Sequence, residues 1–218
     1  TSMSEELDNP LILRNRIVWT FGHGLNSTAR FSGRHEMILW FTKGTQTIFN
    51  LDEVRIPQKY PGKRSYKGPN KGQLSGNPIG KNPSDVWDIP NVKANHIEKT
   101  IHPCQFPVTI PQRLIKALTN KNGLVLDPFM GSGTTGVAAL VEGRRFVGSE
   151  IQKSYFDISV GRIKDAAEGK AKVREDKPVA EPNPNATVAK LPDEFRKIRE
   201  IDDEKKVHRK EASYSETN

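Results

Sequence analysis

The sequence predicts an α/β protein with parallel strands, and three observations within residues 101–166 carry that prediction. Apolar spacing switches between helical and strand periods in the order helix, strand, glycine turn, helix, strand, acid, helix. A tight glycine-rich turn, Asp127 to Gly133 (DPFMGSG), joins the first strand to the helix after it. A carboxylate, Glu150, closes the second strand.

Taken in order, Arg14 to Thr20 (RNRIVWT) and Glu36 to Thr42 (EMILWFT) are rich in β-branched and aromatic residues and read as two strands. The Gly-, Ser- and Asn-rich stretch between them is long for a hairpin, and loops of that length often carry function. Residues around Trp87 (DVWDIPNV) follow a glycine- and proline-rich segment. Pro111 suits the first turn of a helix, with Leu114, Ile115 and Leu118 as its apolar stripe. Asn122-Gly123 ends it as a turn. Leu124 to Leu126 is a short strand, Thr134 to Glu142 a helix stopped at Gly143, Arg145 to Gly148 a strand, and Ser154 to Ile163 a second amphipathic helix. After Ala167 the composition shifts. Pro178, Pro182 and Pro184 mark a linker, and Leu191, Phe195, Ile198 and Ile201 allow one short surface helix.

The net charge is +8, and its location says more than its total. Residues 168–218 hold twelve basic and twelve acidic residues, so the excess lies in residues 1–167. Between Arg55 and Lys81 stand Arg55, Lys59, Lys63, Arg64, Lys67, Lys71 and Lys81, with no acid among them. Five glycines and four prolines share the segment, which forbids a long helix or a central strand. It reads as an extended basic loop, interleaved with Tyr60 and Tyr66, fit for phosphate contact; a solvated flexible loop is the plain alternative. One cysteine, Cys104, excludes an intramolecular disulfide and a cysteine-based zinc cluster. No apolar run reaches bilayer length and no charged-then-apolar leader opens the chain, so a cytoplasmic setting is expected.

Gly131-x-Gly133-x-x-Gly136 fits G-x-G-x-x-G after a strand and before a helix. Glycines there let backbone approach a ligand, and the helix start offers free N–H groups and a positive dipole end. Glu150 at the next strand tip can accept ribose hydroxyls, so the pattern reads as an adenosine-moiety site. A turn that binds nothing is the alternative. Asp127, just before the first glycine, would repel a pyrophosphate and pair with an ammonium. No GxxxxGK[ST] phosphate loop is present. These electrostatics favour S-adenosyl-L-methionine over a nicotinamide dinucleotide.

DPFMGSGTTGVAAL followed by RRFVGSE resembles the cofactor motif of amino-group DNA methyltransferases, the N6-adenine and N4-cytosine enzymes. HPCQFP (His102 to Pro107) resembles the segment preceding that motif in permuted members of the β-class order, and RFSGRHEMILWFTKG (Arg30 to Gly44) resembles their late-sheet hairpin. The resemblance spans about residues 11–166. It implies a Rossmann-like S-adenosylmethionine-dependent methyltransferase fold. Residues 11–50 would be the hairpin, 51–100 a basic target-recognition region, 101–166 the cofactor-binding α/β half, and 167–218 a linker and flexible tail. Asp127, Phe129, Gly131 and Gly133 would line the cofactor. Glu150 would hold its ribose, and Phe106 and Pro107 would flank it. Arg30, Arg34, Lys59, Lys63, Arg64, Lys67, Lys71 and Lys81 would contact duplex DNA, with His23, Asn26 and His35 near that side.

The implied activity is methyl transfer to an exocyclic amino group of adenine (N6) or cytosine (N4). The family's catalytic tetrapeptide, Asp/Asn/Ser-Pro-Pro-aromatic, is not in this sequence: Asn9-Pro10, Asn77-Pro78 and Asn82-Pro83 continue with Leu, Ile and Ser. The chain would supply the first two and last two strands of the family sheet, pairs that are not neighbours there. The fold is therefore expected to be incomplete: a truncated product, one half of a split enzyme whose second chain carries the tetrapeptide, or a homo-oligomer. The readings that stay open are a non-catalytic DNA-binding or specificity subunit of the same fold, and a methyltransferase acting on RNA or protein. A nicotinamide dehydrogenase lacks room for its second nucleotide-binding half.

Overall fold

A computed structural model describes residues 11–175 apart from 23, 25, 59, 61, 62 and 78. His23, Lys59, the linker prolines and the helix expected near 191–201 lie outside the described residues.

Strand β1 (Leu11–Thr20) pairs antiparallel with β2 (His35–Lys43), from Leu11 opposite Lys43 to Thr20 opposite His35. The register shifts between Leu13 and Asn15. Arg14 at that shift donates from Nε to Thr42 Oγ1 at 2.8 Å and from Nη2 to the Gly44 carbonyl at 3.1 Å. Alternation sends Ile17 and Trp19 inward, while Met37, Leu39 and Phe41 on β2 stand exposed on the other face. A third strand, β3 (Val86–Asp88), runs parallel to β1 and pairs through Val18 with Val86, Trp19 with Trp87 and Thr20 with Asp88. The indole of Trp19 donates to the Ile89 carbonyl at 2.6 Å, which satisfies a buried N–H and locks this junction.

Helix α1 (Thr109–Leu118) carries Pro111 in its first turn, as the sequence predicts. Its C-terminal carbonyls are taken from outside: Asn50 donates from Nδ2 to Thr119 at 2.8 Å and to Lys116 at 3.1 Å. Arg144, buried, donates to the Thr119 and Glu142 carbonyls at 2.9 and 2.6 Å. Strand β4 (Leu124–Asp127), helix α2 (Thr134–Val141), strand β5 (Arg145–Gly148) and helix α3 (Lys153–Ala167) follow in the expected order, with β4 and β5 parallel.

The sheets, ordered β2-β1-β3 and β4-β5, share no strand pairing among the described residues, and β3 makes the first a three-stranded sheet where the sequence predicts a pair. Helix α1 joins them. Ile115 packs with Val108, Val137, Ala138 and Ala139, with Val125 and Phe146 from β4 and β5 beneath. Ile110 and Leu114 pack with Ile17, Trp19, Trp87 and Ile89. An apolar groove of about 420 Å³ lies between, lined by Trp19 and Ile38 on one side and Val125 on the other, with α1 as its floor. The uncovered face of β4–β5 exposes Leu124, Leu126 and Val147.

The described residues of the segment 55–81 fold back rather than run extended. Ile56 and Lys81 bridge antiparallel, as do Arg64 and Leu74. Ser75 N–H donates to the Lys63 carbonyl and Ser65 N–H to that of Gln73, both at 2.9 Å. The glycines explain the difference. Gly68, Gly72 and Gly80 adopt positive φ and turn the chain back on itself. A side chain at Gly80 would lie 2.5 Å from the Ile56 carbonyl oxygen.

Candidate cofactor site and basic surface

Strand β4 delivers Asp127 and β5 leads to Glu150, so both carboxyl groups reach the same end of the short sheet. Asp127 Oδ1 accepts the Phe129 N–H at 3.1 Å, which starts the turn. Glu150 spends each oxygen once: Oε2 accepts the Gly131 N–H at 2.9 Å and Oε1 the Gln152 N–H at 2.8 Å. Each carboxylate oxygen keeps a second lone-pair direction for a ligand hydroxyl. Met130 and Ser149 share a backbone bond at 3.0 Å, so the glycine turn is tied to the loop after β5 along its length.

The structure brings Asp127, Phe129, Gly131, Gly133 and Glu150 together, though not all on one surface. Phe129 is 88% exposed, and Ile151, directly after Glu150, is 101% exposed. Two apolar side chains held out beside a carboxylate suit the faces of a planar heteroaromatic ring. Ile151 escaped the sequence reading; its signal is an apolar residue directly after the strand-end acid.

Gly131 and Gly133 are buried, with φ of 51° and 76°. The expectation that these glycines clear space for a ligand is corrected in part, because protein fills the directions their side chains would take. At Gly131 that neighbour is His102 Nε2, 3.0 Å away, and at Gly133 it is Ser159 Cβ, 2.8 Å away. A side chain at Gly136 would lie 2.7 Å from Phe146. The last two glycines allow α2 to close onto α3 and β5. No side chain caps α2 at Gly133, which leaves its first amides to the loop side.

Phe106 is 37% exposed and lines the apolar groove beside Thr135 and Glu36. Pro107 is fully buried, so it shapes the wall from behind. Buried Glu98, which sequence reasoning missed, organises this segment. Its Oε2 accepts the Val108 N–H at 2.9 Å, and its backbone carbonyl accepts Gln105 Nε2 at 2.7 Å. His102 packs edge-on against Tyr155 at 4.5 Å, over Gly131. No local pattern flags either arrangement: Glu98 Oε1 also accepts the distant Arg174 N–H at 2.9 Å, and Tyr155 lies some fifty residues after His102.

In the basic segment Lys63, Lys67, Lys71 and Lys81 are exposed, with Tyr66 83% exposed among them. Arg64 is exposed and spends one N–H on the Gly72 carbonyl at 2.7 Å. Arg55 is held by Asp52 at 2.6 Å and by the Gly80 carbonyl at 3.0 Å, so it braces the segment's base. In the loop after β1, Arg30 is exposed, while Arg34 is half-buried and donates to Asn26 Oδ1 at 2.7 Å. The base of that loop, Trp19 and Glu36, borders the same groove as Phe106 and Thr135. Among the described residues no cluster of His, Cys, Asp and Glu could hold a metal ion, and no helix is long and apolar enough to cross a membrane.

A family model described as DNA methylase, of the N6/N4 type, matches residues 1–161. The chain is 53% identical over 146 residues to the type II methyltransferase M.BglII of Bacillus subtilis, covering 67% of this chain and 41% of that protein. It is 42% identical over 166 residues to the type II methyltransferase M.ScaI of Streptomyces caespitosus, covering 73% and 53%. Among solved structures, the PvuII DNA methyltransferase (cytosine-N4-specific) aligns with a TM-score of 0.52 at 21% identity, over 72% of this chain and 57% of that one. At that identity the likeness is one of fold: the α/β methyltransferase architecture. The chain spans about half the length of the curated relatives it matches.

Proposed function

Because the chain belongs to the N6/N4 DNA methylase family, we propose that it provides the S-adenosyl-L-methionine site and DNA-contacting surface of a site-specific DNA amino-methyltransferase. The reaction is methyl transfer to the N6 of adenine or the N4 of cytosine in duplex DNA, in a cytoplasmic setting. The type II names of the relatives add a restriction-modification role to the reading. The observation that carries it is the Asp127–Glu150 pair, both braced by the glycine turn's own amides and flanked by exposed Phe129 and Ile151.

The residues suit the cofactor in charge and in shape. Glu150 offers lone pairs to two ribose hydroxyls. Phe129 and Ile151 take the adenine faces, and Phe106 borders the methionine end. Asp127 has one oxygen left for the α-ammonium. When bound, the cofactor supplies an electrophilic methyl on a sulfonium. The chain's own part is to bind, orient and exclude water, which raises the effective concentration of the reacting pair. The segment 51–100 serves target recognition. Lys63, Arg64, Lys67, Lys71 and Lys81, with Lys59 and with Arg30 and Arg34 of the loop after β1, meet the phosphates.

Acceptor activation needs hydrogen-bond acceptors on the base amino group, supplied in the family by the tetrapeptide. We assign that group to a second polypeptide segment that carries the tetrapeptide; a homo-oligomer would bury the open sheet edges without supplying it. The segment would lie along the open edges of β2 and β4, which border the α1-floored groove. The test is transfer from methyl-labelled S-adenosyl-L-methionine to unmethylated duplex DNA, with nucleoside products read by mass. Labelled N6-methyladenine or N4-methylcytosine is the expected product once the complementing segment is present. Product from this chain alone would overturn the assignment of the acceptor group. Cofactor and DNA binding without product under any complementation would favour the specificity-subunit reading.

A further inference from the structure

Arg162 on α3 has no part in the proposed cofactor site, yet it touches the glycine turn from behind. Its Nη1 donates to the Ser132 carbonyl at 2.6 Å, to Ser132 Oγ at 3.1 Å and to Thr134 Oγ1 at 3.2 Å. Ser132 and Thr134 are both buried. The Arg162 Nη2 atom is also buried and makes no hydrogen bond among the described residues. Burial lowers the pKa of this guanidinium from its ordinary value, and the Glu98 carboxylate opposes that shift.

A partly desolvated cation with an idle N–H group is costly. Here it also sits beside the positive end of α2, where like sign adds to like. A cavity of about 190 Å³, lined by Glu98, Val137, Arg162 and Asp165, lies behind the turn. The Glu98 carboxylate, which accepts the N–H groups of Val108 and Arg174, lines the same cavity and offsets part of that charge. The turn that Arg162 grips is the one whose amides meet Asp127 and Glu150. An amino-acid moiety carries one ammonium and one carboxylate. Asp127 suits the first, and the α2 start backed by Arg162 suits the second.

We propose that Arg162 is a positioning residue for the amino-acid end of the cofactor: it fixes the Ser132–Thr134 turn from behind and supplies the positive charge that draws a carboxylate to the α2 start. The inference rests on the cofactor assignment made above. The test is calorimetric binding to this chain of two probes, S-adenosyl-L-homocysteine and 5′-methylthioadenosine, which lacks the carboxylate and the ammonium. Arg162→Met is expected to weaken the homocysteine ligand about tenfold or more, the scale of a charge-assisted hydrogen bond. It should change the methylthioadenosine affinity less than about twofold. Arg162→Lys keeps the charge but loses the fork, and should weaken only the homocysteine ligand, by about threefold. Equal losses for both ligands would make Arg162 a mere structural prop and overturn the proposal, as would no change for either. If Arg162→Met fails to melt cooperatively, the same ligand ratio is read from Arg162→Lys. A wild-type chain that binds neither probe overturns the cofactor assignment itself, whereas non-selective variants of a binding chain overturn only the role of Arg162.

Discussion

The two sheets of this molecule assign function by different means. Around β4 and β5 the carboxylates and glycines are pinned: Glu150 by two backbone amides, Asp127 by one, and Gly131, Gly133 and Gly136 by the His102, Ser159 and Phe146 side chains that an added Cβ would meet. Around β1, β2 and β3 the groups assigned to DNA stand out from a folded-back segment whose own turns are held by backbone bonds. A small ligand is selected by placement, and a polyanion by number and spread of charge, so the first region tolerates little change and the second tolerates much.

The sharpest way to break that comparison is a matched pair of glycine substitutions. Gly133→Ala must place a methyl 2.8 Å from Ser159 Cβ at a φ of 76°. Strain and overpacking together should cost about 3 kcal/mol of stability. Gly72→Ala also sits at positive φ, 85°, but meets open space, so about 1 kcal/mol is expected. Urea unfolding followed by circular dichroism measures both; equal losses would erase the contrast between the regions.

Next in size is Glu150→Ala. It removes the acceptor for Gly131 and the ribose partner together, and should weaken S-adenosyl-L-homocysteine by about tenfold or more. DNA affinity should stay within about twofold. Calorimetry and fluorescence anisotropy on one preparation would show whether the two losses separate. Conversely, changing Lys63, Arg64 and Lys67 together to alanine should leave cofactor affinity unchanged. The slope of log K for DNA against log salt should fall by up to about 0.9 for each phosphate no longer neutralised. An unchanged slope removes this segment from the DNA surface.

The smallest expected effect concerns pH. Burial lowers the His96 pKa below its ordinary 6.5, with Glu98 opposing the shift. The folded state therefore binds that proton less readily than the unfolded state. The contribution is present above pH 6.5 and is lost as pH falls through the lowered folded value. His96→Gln should flatten the decline of the melting temperature on the acid side of that point, and should leave the curve above it in place.

Much of this arrangement is legible in the sequence where its causes are local. Pro111, Gly143 and the apolar spacing mark α1, α2 and α3 to within a few residues, and DPFMGSG marks the turn before any coordinates are known. Strand β3 is not legible. Three residues carry no period, and its strand character comes from pairing with Val18, Trp19 and Thr20, some seventy positions earlier. The fold of the basic segment is hidden for a related reason: composition announces glycine and charge, but not that Ile56 will meet Lys81. Of the site, Asp127 and Glu150 announce themselves by position, whereas Glu98 and Arg162 act through hydrogen bonds to distant backbone, at Arg174 and Ser132.

Helix α1 has ten residues and is thus about 15 Å long. It is the floor on which both apolar clusters rest, and this makes it a lever as well as a support. A tilt of about 10° about one end would displace the other by about 2.6 Å, close to a hydrogen-bond length. Small rearrangements around Ile115, on the glycine-turn side, would then be delivered as a shift of the surface above Ile110 and Leu114.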